Sequence, residues 1–175
     1  VLCQDLIIGE KQTGLTEWLL ANPVQRRAYV LAKLCASLVA AILLLIVLPG
    51  AAAYGVLSLG AGSPLPLLPF LEGMGILALH SLFYLTLTLM LGTFFGSRSA
   101  ILGIPLGILL TGMFFSGILK PLLYVSPWLL PQFAEAVAGG VPVPAGLLWP
   151  PLLATGLWCV IFTFVALIKF ERSEF

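Results

Sequence analysis

The single histidine of the chain, His80, starts a row of polar side chains at four-residue spacing: His80, Tyr84 and Thr88, with Ser81 beside them. Residues four apart share one face of a helix, so this row is a stripe rather than a scatter. In an apolar stretch such a stripe has two uses. It can hand on a proton or touch a cargo, or it can form a seam of interhelical hydrogen bonds worth roughly 0.6 kcal/mol each. A neutral imidazole needs only one good partner, which favours the seam.

Other reactive side chains do not assemble into a catalytic set. Cys3, Cys35 and Cys159 are far apart in or beside apolar runs, with neither metal-ligand nor disulfide spacing, and read as small packing residues. Asp5 is the only aspartate, and Ser81 lies next to His80 in sequence, where a shared helical turn aligns the pair poorly. No Gly-x-x-x-x-Gly-Lys phosphate loop occurs, so ATP hydrolysis by this chain is not expected. A net charge of +1 without a basic, aromatic-interleaved stripe points away from nucleic acid.

The elements that must position these residues are membrane helices. Hydrophobic residues make up 61% of the 175 and charged residues 9%, with a mean hydropathy of +1.14. A soluble domain carries roughly 25% charge. A span needs about 20 apolar residues, and four segments meet that: about 28–57, 70–95, 100–119 and 148–168. Pro49-Gly50 marks a kink in the first, Pro105 lies inside the third, and Trp149-Pro150-Pro151 opens the fourth. Gly103-x-x-x-Gly107, continuing to Thr111, and Gly92-x-x-x-Gly96 put small residues on one helix face for close packing, against another span or a second copy.

Positive charge sets the orientation. Lys11, Arg26, Arg27 and Lys33 precede the first span, Arg98 sits in the tight link before the third, and Lys169 and Arg172 follow the fourth. With four spans all of these fall on one side, which the positive-inside rule makes cytoplasmic; only Lys120 lies opposite. Residues 120–146 are then external. Tyr124, Trp128 and Phe133 suit the headgroup zone, and part of the segment is predicted to be an interfacial or re-entrant helix. Glu72 and Glu135 are predicted to be solvated at the interface.

Residues 1–27 hold the longest charged stretch. Leu15, Trp18 and Leu19 form one face of a short amphipathic helix. Pro23 stops it at Asn22. Asn22, Pro23 and Gln25 then cap the helix that becomes the first span. Such an elbow either anchors at the interface or docks its apolar face into a groove of a cytosolic protein. The opening Val1-Leu2-Cys3-Gln4-Asp5-Leu6-Ile7-Ile8 reads as the tail of an earlier helix.

The run Glu10-x-x-x-Gly14-x-x-Glu17-x-Leu19-Leu20-x-x-Pro23-Val24-x-Arg26, followed by Lys33, resembles the cytoplasmic signature of ABC-2-type permeases, the membrane subunits of one class of ABC exporters. The ending Ile168-Lys169-Phe170-Glu171-Arg172 is similar as well, whereas Gly14-Leu15-Thr16-Glu17 departs from the family's Gly-Thr-x-Glu. The resemblance implies an all-α polytopic membrane protein with four transmembrane helices, a cytoplasmic amphipathic coupling helix, and an external re-entrant or interfacial segment. Its four spans would be the family's third to sixth, in a bacterial or archaeal plasma membrane. It also implies a separate ATP-binding subunit carrying ATP and Mg, and a second permease copy or homologue. Glu10, Gly14, Leu15, Glu17, Trp18, Leu19, Leu20, Pro23, Arg26 and Arg27 would then meet the ATPase, which makes the chain an exporter permease rather than an enzyme. A membrane scaffold that recruits a cytosolic protein and a proton-coupled carrier working through His80 are the alternatives.

Overall fold

The computed structural model describes residues 26–95, 97–115 and 120–172. They form helices joined by short turns and loops, with no strand among them. Helix α1 (Arg26–Ala41) runs through a π-helical segment (Ile42–Val47) into α2 (Leu48–Ala61). Then come α3 (Leu67–Phe94), α4 (Arg98–Phe115), the short α5 (Lys120–Leu123), a 3₁₀ turn (Pro127–Leu129), α6 (Leu130–Ala138) and α7 (Ala145–Arg172).

Three stretches are long and apolar enough to cross a membrane: Cys35–Ala61, Leu67–Phe94 and Ala145–Lys169. At 1.5 Å per residue each exceeds the roughly 30 Å of a hydrocarbon core. The expected third span corresponds to α4, whose apolar part, Ser99–Phe114, is shorter than these.

The expected kink at Pro49 takes a specific form. Proline cannot donate to the carbonyl four residues back and its ring crowds that carbonyl. The chain answers by widening the preceding turn: the Leu48 N–H bonds to the Leu43 carbonyl, five residues back, and the helix resumes. Gly62 ends α2 in the left-handed region at φ 68°, where a side chain would be strained. The loop to α3 is tied by the Tyr54 hydroxyl donating to the Leu65 carbonyl at 2.9 Å and by the Leu65 N–H donating to Ser58 Oγ at 3.3 Å.

The start of α7 differs from expectation. The helix begins at Ala145, after Pro144, whose carbonyl accepts from the Leu147 and Leu148 N–H groups. Pro150 and Pro151 therefore lie inside the helix, where they withhold donors from the carbonyls of Gly146 and Leu147.

Helix α3 is the hub. It packs most extensively on α7 and α6, and also touches α1 and α4. One cluster joins Phe83, Leu87 and Leu91 of α3 to Ile101 of α4 and Cys159 of α7. A second joins Ile76 to Leu130 and Ala134 of α6. Cys159 is thus a packing residue, whereas Cys35 is exposed on α1. Large apolar side chains also cover the outside: Leu59 is 84% exposed, Met113 74% and Leu153 67%. Such faces need hydrocarbon or protein against them.

Candidate functional site

The distinctive local structure is the segment from α5 to α6, which packs on α3, α4 and α7. Its backbone carbonyls and rings are held by side chains at the middle of the long helices. His80 falls at the midpoint of the 28-residue α3, and its Nδ1 lies 3.1 Å from the Pro127 carbonyl oxygen. A carbonyl only accepts, so Nδ1 carries the proton, and in the neutral ring Nε2 is left as the acceptor. Trp158 falls at the midpoint of the 28-residue α7, and its Nε1 donates to the Val125 carbonyl at 3.1 Å. From the segment itself, Trp128 Nε1 donates to the Ile108 carbonyl of α4 at 3.0 Å. Three helices therefore grip residues 125–128 by one hydrogen bond each.

Two glycines make the close approach possible. A Cβ on Gly73 would lie 2.6 Å from the Ala134 carbonyl oxygen and 2.8 Å from the Ala138 Cβ, so α6 rests on the bare backbone of α3. A Cβ on Gly112 would overlap the Trp128 indole. Helix α6 ends in a Schellman-type turn: the Val141 N–H bonds to the Ala136 carbonyl at 2.8 Å, and Gly140 takes φ 73°. That turn sends the chain into α7.

The predicted polar stripe is only partly a unit. His80 and Tyr84 meet as a T-shaped ring pair with centroids 5.1 Å apart. Thr88 instead donates to the Tyr84 carbonyl of its own helix at 2.6 Å. Thr86 does likewise with Leu82 at 2.9 Å. The Tyr84 hydroxyl is buried without a partner among the described residues. His80 thus contacts a carbonyl and a ring, an arrangement that positions the folded-back segment. Replacing His80 with leucine is expected to cost about 0.6–1.7 kcal/mol, read by unfolding in mixed micelles, with His80→Asn restoring part of it through its amide donor.

Several expected placements change. Phe133 is buried, because α6 turns its Leu130, Phe133 and Ala134 face inward. Trp128 spends its indole N–H on a carbonyl of α4. The Gly103 and Gly107 positions are exposed, and a Cβ on either would meet nothing within 4 Å among the described residues. Thr111, the third member of that face, donates to the Gly107 carbonyl at 2.8 Å. The small-residue face of α4 is therefore not packed by the described part of this chain. Glu72 and Glu135 are exposed.

Among the described residues no group of three or more His, Cys, Asp and Glu side chains could hold a metal ion. Of the elbow residues, Glu10, Gly14, Leu15, Glu17, Trp18, Leu19, Leu20 and Pro23 lie outside the described residues, and Arg26 and Arg27 open α1. Sequence reading passed over Gly73 and Trp158. Their signal is faint: a lone glycine and a lone tryptophan inside apolar helices, each meaningful only once its partner is known.

A family model described as ABC-2 family transporter protein matches residues 1–175. No curated protein and no solved structure matches the chain.

Proposed function

The chain belongs to the ABC-2 family of transporter proteins, and on that premise we propose that it is the permease subunit of an ATP-driven exporter. The observation that carries this reading is the family match across the full 175 residues, supported by helices long and apolar enough to span a membrane. ATP and Mg belong to a separate ATPase subunit. That partner docks on the elbow, with Leu15, Trp18 and Leu19 as the apolar surface and Glu10, Glu17, Arg26 and Arg27 as polar contacts. Gly14, Leu20 and Pro23 shape the same elbow. Closure of the ATPase moves the elbow, and the capped joint at Asn22-Pro23 passes the motion into α1. Two permease copies then rock between inward- and outward-facing states.

In this reading α4 is a fourth span, the basic residues of the helix ends face the cytoplasm of a bacterium or archaeon, and residues 120–146 are external. The grip on residues 125–128 at mid-helix supports a re-entrant rather than an interfacial path for that segment. The unpacked Gly103/Gly107 face suits the second copy. His80, bound to a carbonyl, serves the fold, which speaks against a proton-coupled carrier.

The test is co-purification of the full-length protein with its ATPase and measurement of transport-coupled ATP hydrolysis. Trp18→Ala should weaken association by about 2 kcal/mol or more, as expected for a central aromatic anchor. Glu17→Arg should reverse a polar contact and uncouple hydrolysis from transport. If both variants bind and couple normally, the elbow does not dock the ATPase.

A further inference from the structure

The first span does not keep one helical spacing along its covered side. Ser37, Ala41 and Ile46 are buried, and Gly50, Tyr54 and Ser58 continue the row half-buried, with Leu38, Ala40 and Gly55 at its flanks. Each step in the row is four residues except that from Ala41 to Ile46, which is five. On a regular helix, at about 100° per residue, a step of four returns to within about 40° of the same face and a step of five lands about 140° away. The row stays on one face because the π-helical segment, Ile42–Val47, lies across the long step and takes up one extra residue in its wide turn. Leu45, which a regular helix would turn inward, is exposed instead. Pro49, just beyond, has no N–H for the carbonyls before it, so this place is also short of one backbone hydrogen bond.

Past the wide turn, α2 is held. A Cβ on Gly50 would overlap the Met74 thioether, so α3 rests a side chain on the bare backbone of α2. One turn further, Tyr54 meets Phe70 of α3 edge-on with centroids 5.1 Å apart. The Tyr54 hydroxyl and Ser58 Oγ both bind Leu65, two residues before α3 begins.

We infer that the wide turn at Ile42–Val47 is the joint of the first span: α1 bends there while α2 stays fixed on α3. This role rests on the exporter reading, in which the elbow drives α1. A turn with an extra residue and a missing donor bends at lower cost than the regular turns on either side. Motion entering at Arg26 therefore swings α1 and leaves α2, α3 and the seat of residues 125–128 in place.

Spin labels on the full-length protein in lipid nanodiscs test this, on a Cys3→Ala, Cys159→Ala background. One pair is the native Cys35 with Phe164→Cys, across α1 and α7. The other is Val56→Cys with Leu153→Cys, across α2 and α7, with Cys35→Ala added. All four positions are exposed. Distances are read by double electron–electron resonance, in the protein alone and with the ATPase and a non-hydrolysable ATP analogue. The first pair should give the broader distribution in the protein alone. With the analogue it should shift by about 3 Å, a bend of roughly 20° acting on the roughly 10 Å of helix between Cys35 and the turn. The second pair should stay narrow and unmoved. Deletion of Leu44 combined with Pro49→Ala removes the extra residue and restores the donor, so a regular helix keeps the row on one face. That variant should fold with wild-type stability, and its first pair should be narrow and should not shift. Deletion of Ala52, in regular helix, turns everything before it by about 100° and should lower stability. If the ATPase does not co-purify with the wild-type protein, the exporter reading fails, and the widths in the protein alone still judge the joint. Equal widths for the two pairs, an unmoved first pair in the ATPase complex, a shift that survives in the Leu44 deletion variant, or a Leu44 deletion as damaging as that of Ala52 overturns the inference.

Discussion

Gly73→Leu is expected to destabilise the fold by at least about 1–3 kcal/mol, the cost of overpacking a close-packed interior. The position meets backbone, which cannot swing aside: a Cβ would lie 2.6 Å from the Ala134 carbonyl oxygen and 2.8 Å from the Ala138 Cβ. Relief requires α6 to lift off α3. Lifting α6 separates Leu130 and Ala134, exposed by 0% and 1%, from Ile76, and pulls the Pro127 carbonyl away from His80. One added side chain is thus amplified into loss of the folded-back segment's seat. Gly75→Leu is the control two residues along the same helix, where an added Cβ meets nothing within 4 Å among the described residues. Unfolding of both variants in mixed micelles checks the difference. Equal stability would mean that α6 does not rest on α3 at this point.

Gly112→Leu and Gly107→Leu are expected to fail in different ways, although both put leucine on α4. At Gly112 the new side chain takes the space of the Trp128 indole, breaks its bond to the Ile108 carbonyl and unseats the segment, again by about 1–3 kcal/mol or more. Gly112→Ala combined with Trp128→Leu should recover part of that loss, because the smaller side chain leaves room for the added carbon. At Gly107 the space is open within the described chain, so the protomer should fold with wild-type stability. If the Gly103/Gly107 face meets a second copy, Gly107→Leu should instead lower the dimer fraction in size-exclusion chromatography with light scattering. A Gly107→Leu variant that folds and remains dimeric would place the second copy elsewhere.

These glycines show where sequence legibility ends. The long apolar helices were visible because hydropathy is a sum over some twenty residues and tolerates local noise. The turn at 60–66 was visible because Gly, Ser and Pro act locally. Pro49 announced a disturbance, and only its form, a widened turn, required the structure. The nine residues of α6 were ambiguous for a physical reason. A short amphipathic helix between aromatic residues has the same composition whether it lies at an interface or packs into a bundle. The choice is made by partners 47, 20 and 33 residues away: His80 with Pro127, Trp128 with Ile108, and Trp158 with Val125. No window along the chain contains both members of any of these pairs. The polar stripe divides along the same line: Thr88 bonds to a carbonyl four residues back in its own helix, whereas the partner of His80 lies 47 residues away.

The central place of α3 also bears on the order in which the protein is made. A growing chain leaves the ribosome from its N-terminus, so α3 emerges ahead of α4, α6 and α7. Thr86 and Thr88 travel safely, each satisfied by a carbonyl of its own turn. His80 does not: its carbonyl partner is translated 47 residues later. During that interval a bare imidazole sits at the midpoint of an apolar helix, a costly arrangement in lipid. The helix that organises the finished bundle is therefore the one least able to settle in lipid by itself. It is expected to linger at the insertion machinery until the Pro127 turn has emerged to release it.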